Sequence, residues 1–311
     1  LRPPGQSDNF AAKGGHDMVA RREFLAGAAT LAAAAPLVKA ASLAAANGGF
    51  PLEEPVRRLE RRSGGRLGVA LLDTGSGRRF TWRGDERFPM CSTFKFLLAA
   101  DLLRRADTGR ERLDRRLPIR RVTMPNSPFT KSRVGRDASL RELCRAIIEL
   151  SDNQAANLLL PLVGGPAGLT SFARAIGDPV TRLDRIEPAM SEAVPGEARD
   201  TTSPNAMTAD FERLLLRNLL RPGSRAALTE WLLGCQTGAT RLRAGLPRGW
   251  RIGDKTGTGD HGTSNDVAIV WPGRRPPFVL AAYLTGSTLD DAARNRVLAD
   301  LARAVAAVAQ G

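Results

Sequence analysis

The β-type runs of this chain stand near its two ends, and the long stretch between them reads as helical. Arg66 to Asp73 and Arg78 to Trp82 are short strand-like runs, and Thr74-Gly75-Ser76-Gly77 between them predicts a hairpin turn. Arg251 to Gly253, Asp266 to Trp271 and Phe278 to Leu284 predict further strands, split by Gly and Pro clusters. Residues 92 to about 233 carry mostly helical patterns. Leu289 to Val308 closes the chain as an amphipathic helix, with apolar positions at Leu289, Ala293, Val297, Leu301 and Val305. Strands at both ends with helices between imply an α/β domain built from both termini, with a helical domain inserted into it.

Composition narrows the chemistry. The 311 residues are 42% hydrophobic and 25% charged, an ordinary globular balance that excludes a disordered, collagenous or disulfide-scaffold chain. Two histidines and three cysteines are too few and too scattered for a His/Cys zinc cluster, so no metal and no cofactor are expected. They also argue against a Ser-His-Asp hydrolase, because beyond the N-terminal segment only His261 remains; a nucleophile here needs another base. The net charge is +14, but the arginines are dispersed and aromatics are only 5%. This reads as a solvated basic surface, with no nucleic-acid partner. Five of the 46 basic residues are lysines, so Lys95 and Lys255, both in apolar or Gly-rich settings, carry more information than any arginine.

Residues 1–46 read as extra N-terminal sequence followed by an export signal, with Met18 as start. Arg21-Arg22-Glu23-Phe24-Leu25, an apolar run from Ala26 to Val38 and small residues from Ala40 to Ala46 form a signal peptide that resembles the twin-arginine type, with a general secretory signal that happens to hold two arginines as the alternative. A periplasmic or secreted protein with no stable membrane span after processing is expected. Cys91, Cys144 and Cys235 are an odd set and form no disulfide framework.

Three short motifs can carry chemistry. Ser92-Thr93-Phe94-Lys95 opens a helix that is apolar nearly all round; three residues apart, Ser92 and Lys95 share a face. A buried lysine is costly unless paired or deprotonated, and a deprotonated one can take the hydroxyl proton of a serine. An N-cap serine with a snorkelling lysine serves the same spacing. Ser151-Asp152-Asn153 follows the helix Ser139 to Leu150, which opens with a capping box, Ser139 to Glu142; alone, the triplet reads as a helix cap. Lys255-Thr256-Gly257, followed by Thr258-Gly259, succeeds the strand Trp250 to Gly253, where glycines let a substrate approach the main chain. A bulged strand with an exposed lysine is the plain alternative.

Taken together, in this order, the three motifs match the set found in class A β-lactamases and penicillin-binding proteins. From about residue 50 to the end the chain resembles a class A serine β-lactamase, also through Thr181 to Pro188, Arg199-Asp200-Thr201-Thr202 and Leu246 to Trp250. The resemblance implies an antiparallel sheet flanked by helices, formed by 47–90 and 234–311, with a helical domain over 91–233 and an Ω-loop over 182–200. It implies that Ser92 attacks the β-lactam carbonyl, with the N–H groups of Ser92 and Thr258 as the oxyanion hole. Ser151 would pass a proton to the lactam nitrogen, and Glu187 would activate the deacylating water. Lys255, Thr256 and Thr258 beside Gly257 would hold the substrate carboxylate. Asn153 would bind the substrate's side-chain amide and position Lys95. Either Lys95 or Glu187 would be the acylation base. An Arg185–Asp200 pair would tie the Ω-loop ends. A monomer acting on a small β-lactam, and so conferring antibiotic resistance, is expected.

The sequence departs from the pattern at three places. Ser191 stands where the family usually has an asparagine that helps hold the deacylating water. Ser264 stands where an arginine is frequent on the strand after Lys-Thr-Gly, and Arg241 matches a place from which some members supply that charge. Cys91 and Cys144 lack their familiar partners, since Gly259 and Ala99 occupy those places. The alternative functions are a D-Ala-D-Ala peptidase and a non-catalytic β-lactam sensor; Glu187 in its Arg-Ile-Glu-Pro context argues against the first.

Overall fold

The computed structural model describes residues 49–310; the signal-peptide reading lies outside them. Five antiparallel strands form one sheet in the order β2-β1-β9-β8-β7, where β1 is Arg66–Asp73, β2 Arg79–Trp82, β7 Arg251–Gly259, β8 Thr263–Trp271 and β9 Phe278–Thr285. The hairpin turn forms as expected, with Gly77 in the left-handed region at φ 74° and its N–H on the Asp73 carbonyl.

Both faces of the sheet are buried, which is why its strands read as nearly continuous apolar runs. Alternate residues divide between two cores. Leu67, Val69, Leu71, Leu280 and Ala282 pack with helix α1 (Glu53–Ser63) and the C-terminal helix α10 (Asp291–Gln310) through Val56, Val297, Leu301 and Val305. Leu72, Val267, Ile269, Val279 and Ala281 face a helical region that lies between β2 and β7 in sequence. Its central helix is α2 (Phe94–Asp107), whose Phe94 to Leu103 are all buried. Around it stand α3 (Pro128–Lys131), α4 (Leu140–Glu149), α5 (Asn153–Leu159), α6 (Gly165–Ala175), α7 (Pro204–Leu216) and α8 (Pro222–Leu233). Phe96 stacks on Phe211 of α7 with ring centroids 3.9 Å apart; deleting such a buried ring costs about 3–5 kcal/mol. The architecture is therefore a mixed α/β layer with an antiparallel sheet, plus an all-helical region.

Two local readings shift. The Lys-Thr-Gly segment lies inside β7, because pairing with β8 over Arg251↔Trp271 to Gly259↔Thr263 overrides the weak strand propensity of its glycines and charges. The last helix begins at Asp291, so Leu289 precedes it. The capping box at Ser139 and Glu142 is present in both directions at the start of α4.

Between α6 and α7 the chain runs as a loop whose regular elements are a 3-10 turn, Ala189–Ser191, and the strand β6 (Thr201–Thr202) at its end. Its ends meet where the Arg182 N–H donates to the Thr201 carbonyl at 2.9 Å. Small strands β3 (Phe88–Pro89) and β6 pair beside it, β4 (Arg116–Ile119) pairs with β5 (Arg136–Ser139), and a short helix α9 (Leu242–Gly245) packs against α10.

Candidate active site

A cleft of about 800 Å³ opens between the helical region and β7. Ser92 lines it from a 3-10 turn, Cys91–Thr93, that precedes α2, so it is not a helix cap. The turn is held in place by glycine. A Cβ on Gly257 would come within 2.7 Å of the Met90 carbonyl, so only a bare main chain lets β7 lie against the nucleophile's turn. Cys91 adopts φ 46°, an uncommon conformation for a non-glycine residue immediately before the serine.

The polar groups converge on Ser92. Lys95 Nζ, fully buried, donates to Ser92 Oγ at 2.8 Å, to the Ser151 carbonyl at 2.9 Å and to Asn153 Oδ1 at 2.5 Å. It also lies 3.1 Å from Glu187 Oε1, and Ser92 Oγ donates to the same oxygen at 3.2 Å. Burial pulls the Lys95 ammonium below its usual range, while the Glu187 carboxylate opposes that shift. A lysine in this state can exchange a proton with the serine, and a lysine with a snorkelling head cannot: the snorkelling alternative is removed by the burial of Nζ among these partners.

Ser151 comes to the same point from the turn between α4 and α5, at φ 56°. Asp152 caps α5 by accepting the Ala155 N–H, and it also receives the Thr130 N–H and hydroxyl from α3. The cap reading of this triplet thus holds for Asp152, which frees Ser151 and Asn153 to face the cleft. Lys255 Nζ donates to Ser151 Oγ at 3.0 Å and to the Thr256 carbonyl at 2.8 Å. Burial first, then the positive charge of Lys95, lowers Lys255 to about 7.

Glu187 sits on the loop between α6 and α7, followed by a cis peptide to Pro188. Asn157 of α5 holds its main chain from both sides: Nδ2 donates to the Glu187 carbonyl at 2.9 Å, and Oδ1 accepts the Glu187 N–H at 3.2 Å. Ser191 Oγ donates to Glu187 Oε2 at 3.0 Å. Arg185 Nε meets Asp200 Oδ2 at 2.6 Å, and Asp200 is 1% exposed, its other oxygen taking the N–H groups of Asp184 and Arg185. The carboxylate of this pair is buried in the loop's base while Arg185 is half-buried and reaches outward to Glu192 at 2.6 Å, so the pair is more than a surface contact.

Arg241 is 7% exposed and ties several strands together. Nε donates to Asn295 Oδ1, Nη1 to the carbonyls of Gly257 and Asn265, and Nη2 to Thr258 Oγ1 at 2.6 Å. The sequence did not single out four further residues: Asn157, Thr237, Asn295 and Arg294. Thr237 shares a hydrogen bond with Thr256 at 2.5 Å, and Arg294 Nε donates to Ser264 Oγ at 3.1 Å while lining the cleft. Each comes from an element distant in sequence and carries no local motif. Gly259 lies beside Cys91, since a Cβ there would fall 2.6 Å from Sγ; Cys91, Cys144 and Cys235 are free and buried. Among the described residues no group of three or more His, Cys, Asp or Glu side chains is placed to hold a metal ion.

A serine whose hydroxyl contacts a buried lysine and a buried carboxylate, opposite a strand edge bearing a second lysine, defines an acyl-transfer centre. Comparison with known proteins agrees. The model of the β-lactamase enzyme family matches residues 51–309. A β-lactamase of Citrobacter koseri is 44% identical over 255 residues, 82% of this chain and 87% of that one. A β-lactamase of Streptomyces albus G is 44% identical over 302 residues, 92% of this chain and 96% of that one. Among solved structures, an ancestral (GNCA) class A β-lactamase is 58% identical with a TM-score of 0.81, covering 82% of this chain and 98% of that one. A β-lactamase from Xanthomonas campestris pv. campestris is 52% identical with a TM-score of 0.81, covering 83% and 97%. The chain belongs to the β-lactamase enzyme family, among its class A serine enzymes, and is a hydrolase of the β-lactam ring that works through a serine acyl-enzyme and carboxylate-assisted deacylation.

Proposed function

We propose the following division of labour in the hydrolysis of the ring amide. Ser92 Oγ attacks the β-lactam carbonyl carbon, and its proton passes to a base within reach, Lys95 at 2.8 Å or Glu187 at 3.2 Å. The N–H groups of Ser92 and Thr258 stabilise the oxyanion. The C–N bond then breaks, and Ser151, bonded to Lys255 and within 3.5 Å of Lys95 Nζ, delivers a proton to the nitrogen. In deacylation Glu187 takes a proton from water as its oxygen attacks the ester. The ester C–O bond breaks, Ser92 regains its proton, and the ring-opened acid leaves. Lys255, Thr256 and Thr258, backed by Arg241, hold the substrate carboxylate, while Asn153 receives the side-chain amide.

The observation that carries this reading is the contact of one carboxylate oxygen, Glu187 Oε1, with both Ser92 Oγ and Lys95 Nζ. A penicillin-binding peptidase shares the acylation machinery but lacks fast deacylation; a carboxylate placed on the nucleophile supplies that second half. The test is Glu187→Ala with penicillin under mass spectrometry. We expect acylation followed by a persistent adduct of penicillin mass, and no adduct on Ser92→Ala. Turnover of the ester by Glu187→Ala at the wild-type rate would sink the assignment.

The domain reading that goes with this function is an α/β part over 47–90 and 234–311 and a helical part over 91–233, with the Ω-loop over 182–200 presenting Glu187. The division of the core into one cluster between the sheet and the two terminal helices and another between the sheet and the inserted helices supports it. We also propose export to the periplasm or medium through the twin-arginine signal and action as a monomer without nucleic acid. No single described helix is long and apolar enough to cross a membrane.

A further inference from the structure

Two carboxyl groups outside the cleft stand side by side at the neck of the Glu187 loop, where Gly177 lies against the Arg213 guanidinium that donates to Asp210. Asp178, just after α6, is 1% exposed, and Asp210 of α7 is fully buried. Asp178 Oδ1 accepts the N–H groups of Val180 at 2.7 Å and Thr181 at 3.0 Å, and Asp210 Oδ1 accepts Arg213 Nη1 at 3.1 Å. The second oxygen of each has no donor. A carboxylate only accepts hydrogen bonds, so two bare ones side by side would leave both oxygens orphaned and two charges buried against one guanidinium. A single proton removes both faults: one acid becomes a donor to the other, and the group of three becomes neutral.

We propose that Asp178 and Asp210 share one proton and act as a positioning pair for Glu187. The lock tethers the neck of the catalytic loop to α7. Asp178 organises the turn to Thr181, whose hydroxyl meets that of Thr202 at 2.6 Å. Arg174 of α6 grips the same turn through the carbonyls of Asp178 and Thr181. From there the chain runs directly to Glu187. The inference rests on Glu187 being the deacylating group.

The surroundings fix how the pair titrates. Burial, then the negative charge of Asp178 and its hydrogen bond, push Asp210 well above the usual carboxylate range, and Arg213 opposes them. β9 presents the phenol of Tyr283, which burial raises and so keeps neutral. β1, β8 and α8 contribute Leu72, Val267, Leu228 and Trp231 to the apolar core around α7. Arg174 and Arg87, the latter donating to the Val180 carbonyl and the Thr201 hydroxyl, are further cations at the turn. Because the folded state keeps a proton that the unfolded chain releases near pH ~4, stability from this pair is full below that point and is lost as pH rises through the pair's own pKa.

Asp210→Asn keeps a donor for Asp178 and cannot lose it. The Tm of this variant relative to wild type should climb steadily between pH 5 and 9. The alkaline limb of kcat, measured with a substrate limited by deacylation, should move up by about one pH unit or more while KM keeps its pH profile. Asp178→Asn, which retains an acceptor for Val180 and Thr181, should show the same divergence and stands in if the first variant does not fold. Parallel Tm curves, or kcat profiles that coincide, would overturn the proposal. A failure of Glu187 itself is read separately, from the fate of the Glu187→Ala adduct.

Discussion

Arg241 stops one atom short of being an open cation in the cleft: its Nη2 donates to the Thr258 hydroxyl at 2.6 Å. One of the two acceptor lone pairs of Thr258 is thereby occupied, and its O–H is free to donate elsewhere. In the proposed carboxylate site the guanidinium therefore acts chiefly through this threonine.

Removal of Arg241 therefore acts twice, on charge and on hydroxyl orientation. Arg241→Ala should lower kcat/KM for carboxylate-bearing β-lactams by roughly ten- to hundredfold, the value of ~1.5–3 kcal/mol for a charge-assisted bond. Thr258→Val added to it should cost little more, because the two act as one unit. Ser264→Arg should not rescue the loss, since Ser264 Oγ already carries Arg294 Nε at 3.1 Å and a second guanidinium would be forced onto the first. Strictly additive losses would show that Arg241 and Thr258 work independently.

With Lys255 proposed as the binding cation, its lowered pKa predicts a pH limit on binding. With its folded value lowered to about 7, the ammonium that faces the carboxylate is lost in the free enzyme as pH rises through that point. kcat/KM should fall on the alkaline side of about 7, and Lys255→Arg should abolish that limb, because a guanidinium stays charged. Stability moves the other way. The folded state sheds this proton before the unfolded chain does, so its contribution is present above pH ~10.4 and lost as pH falls to about 7. A flat alkaline profile in wild type would contradict the assignment of Lys255 as the binding cation.

Ser191 holds Glu187 by one hydrogen bond at 3.0 Å. Ser191→Ala should slow deacylation roughly two- to tenfold, as expected for a bond of ~1 ± 0.5 kcal/mol, with acylation unchanged. Stopped-flow separation of the two steps is the measurement; an equal effect on both would assign Ser191 to binding.

Asp200 is buried, so removing its carboxylate leaves Arg185 Nε and two main-chain N–H groups without their acceptor, although Arg185 Nη1 keeps Glu192. Asp200→Ala should cost about 3–5 kcal/mol of stability, the usual loss when one member of a buried pair is removed. Chemical denaturation decides this, and a loss under ~1 kcal/mol, the worth of a surface pair, would count against it.

Replacement of Arg21 and Arg22 together by lysines should abolish export by the twin-arginine route. Normal activity outside the cytoplasm from that double variant would show general secretion instead.

What could be read in advance was whatever the sequence keeps local. Ser92 and Lys95 are one helical turn apart, Ser151 and Asn153 flank a cap, and Lys255 to Thr258 are consecutive, so each motif survives as a short string. The two-ended strand pattern, likewise, gave the sheet because both its faces are apolar. Arg294, Thr237 and Asn157 could not be found this way, because each is an unremarkable polar residue until tertiary packing sets it against Ser264, Thr256 or Glu187. The placement of Lys-Thr-Gly after a strand rather than within one has the same origin: its strand character comes from β8, not from its own residues.

β7 is the last strand of its sheet, and an edge strand is a template that invites pairing by any passing chain. Here the template is rationed. Leu232 and Leu233 of α8 close over Gly253, and the Arg241 guanidinium occupies the Gly257 carbonyl, which leaves only a short stretch around Thr256 to Thr258 open along the cleft. Three residues are fewer than the roughly five or six of an ordinary strand, so the opening offers little to a foreign chain. A surface that would ordinarily be an aggregation hazard is thereby trimmed to the size of one small molecule.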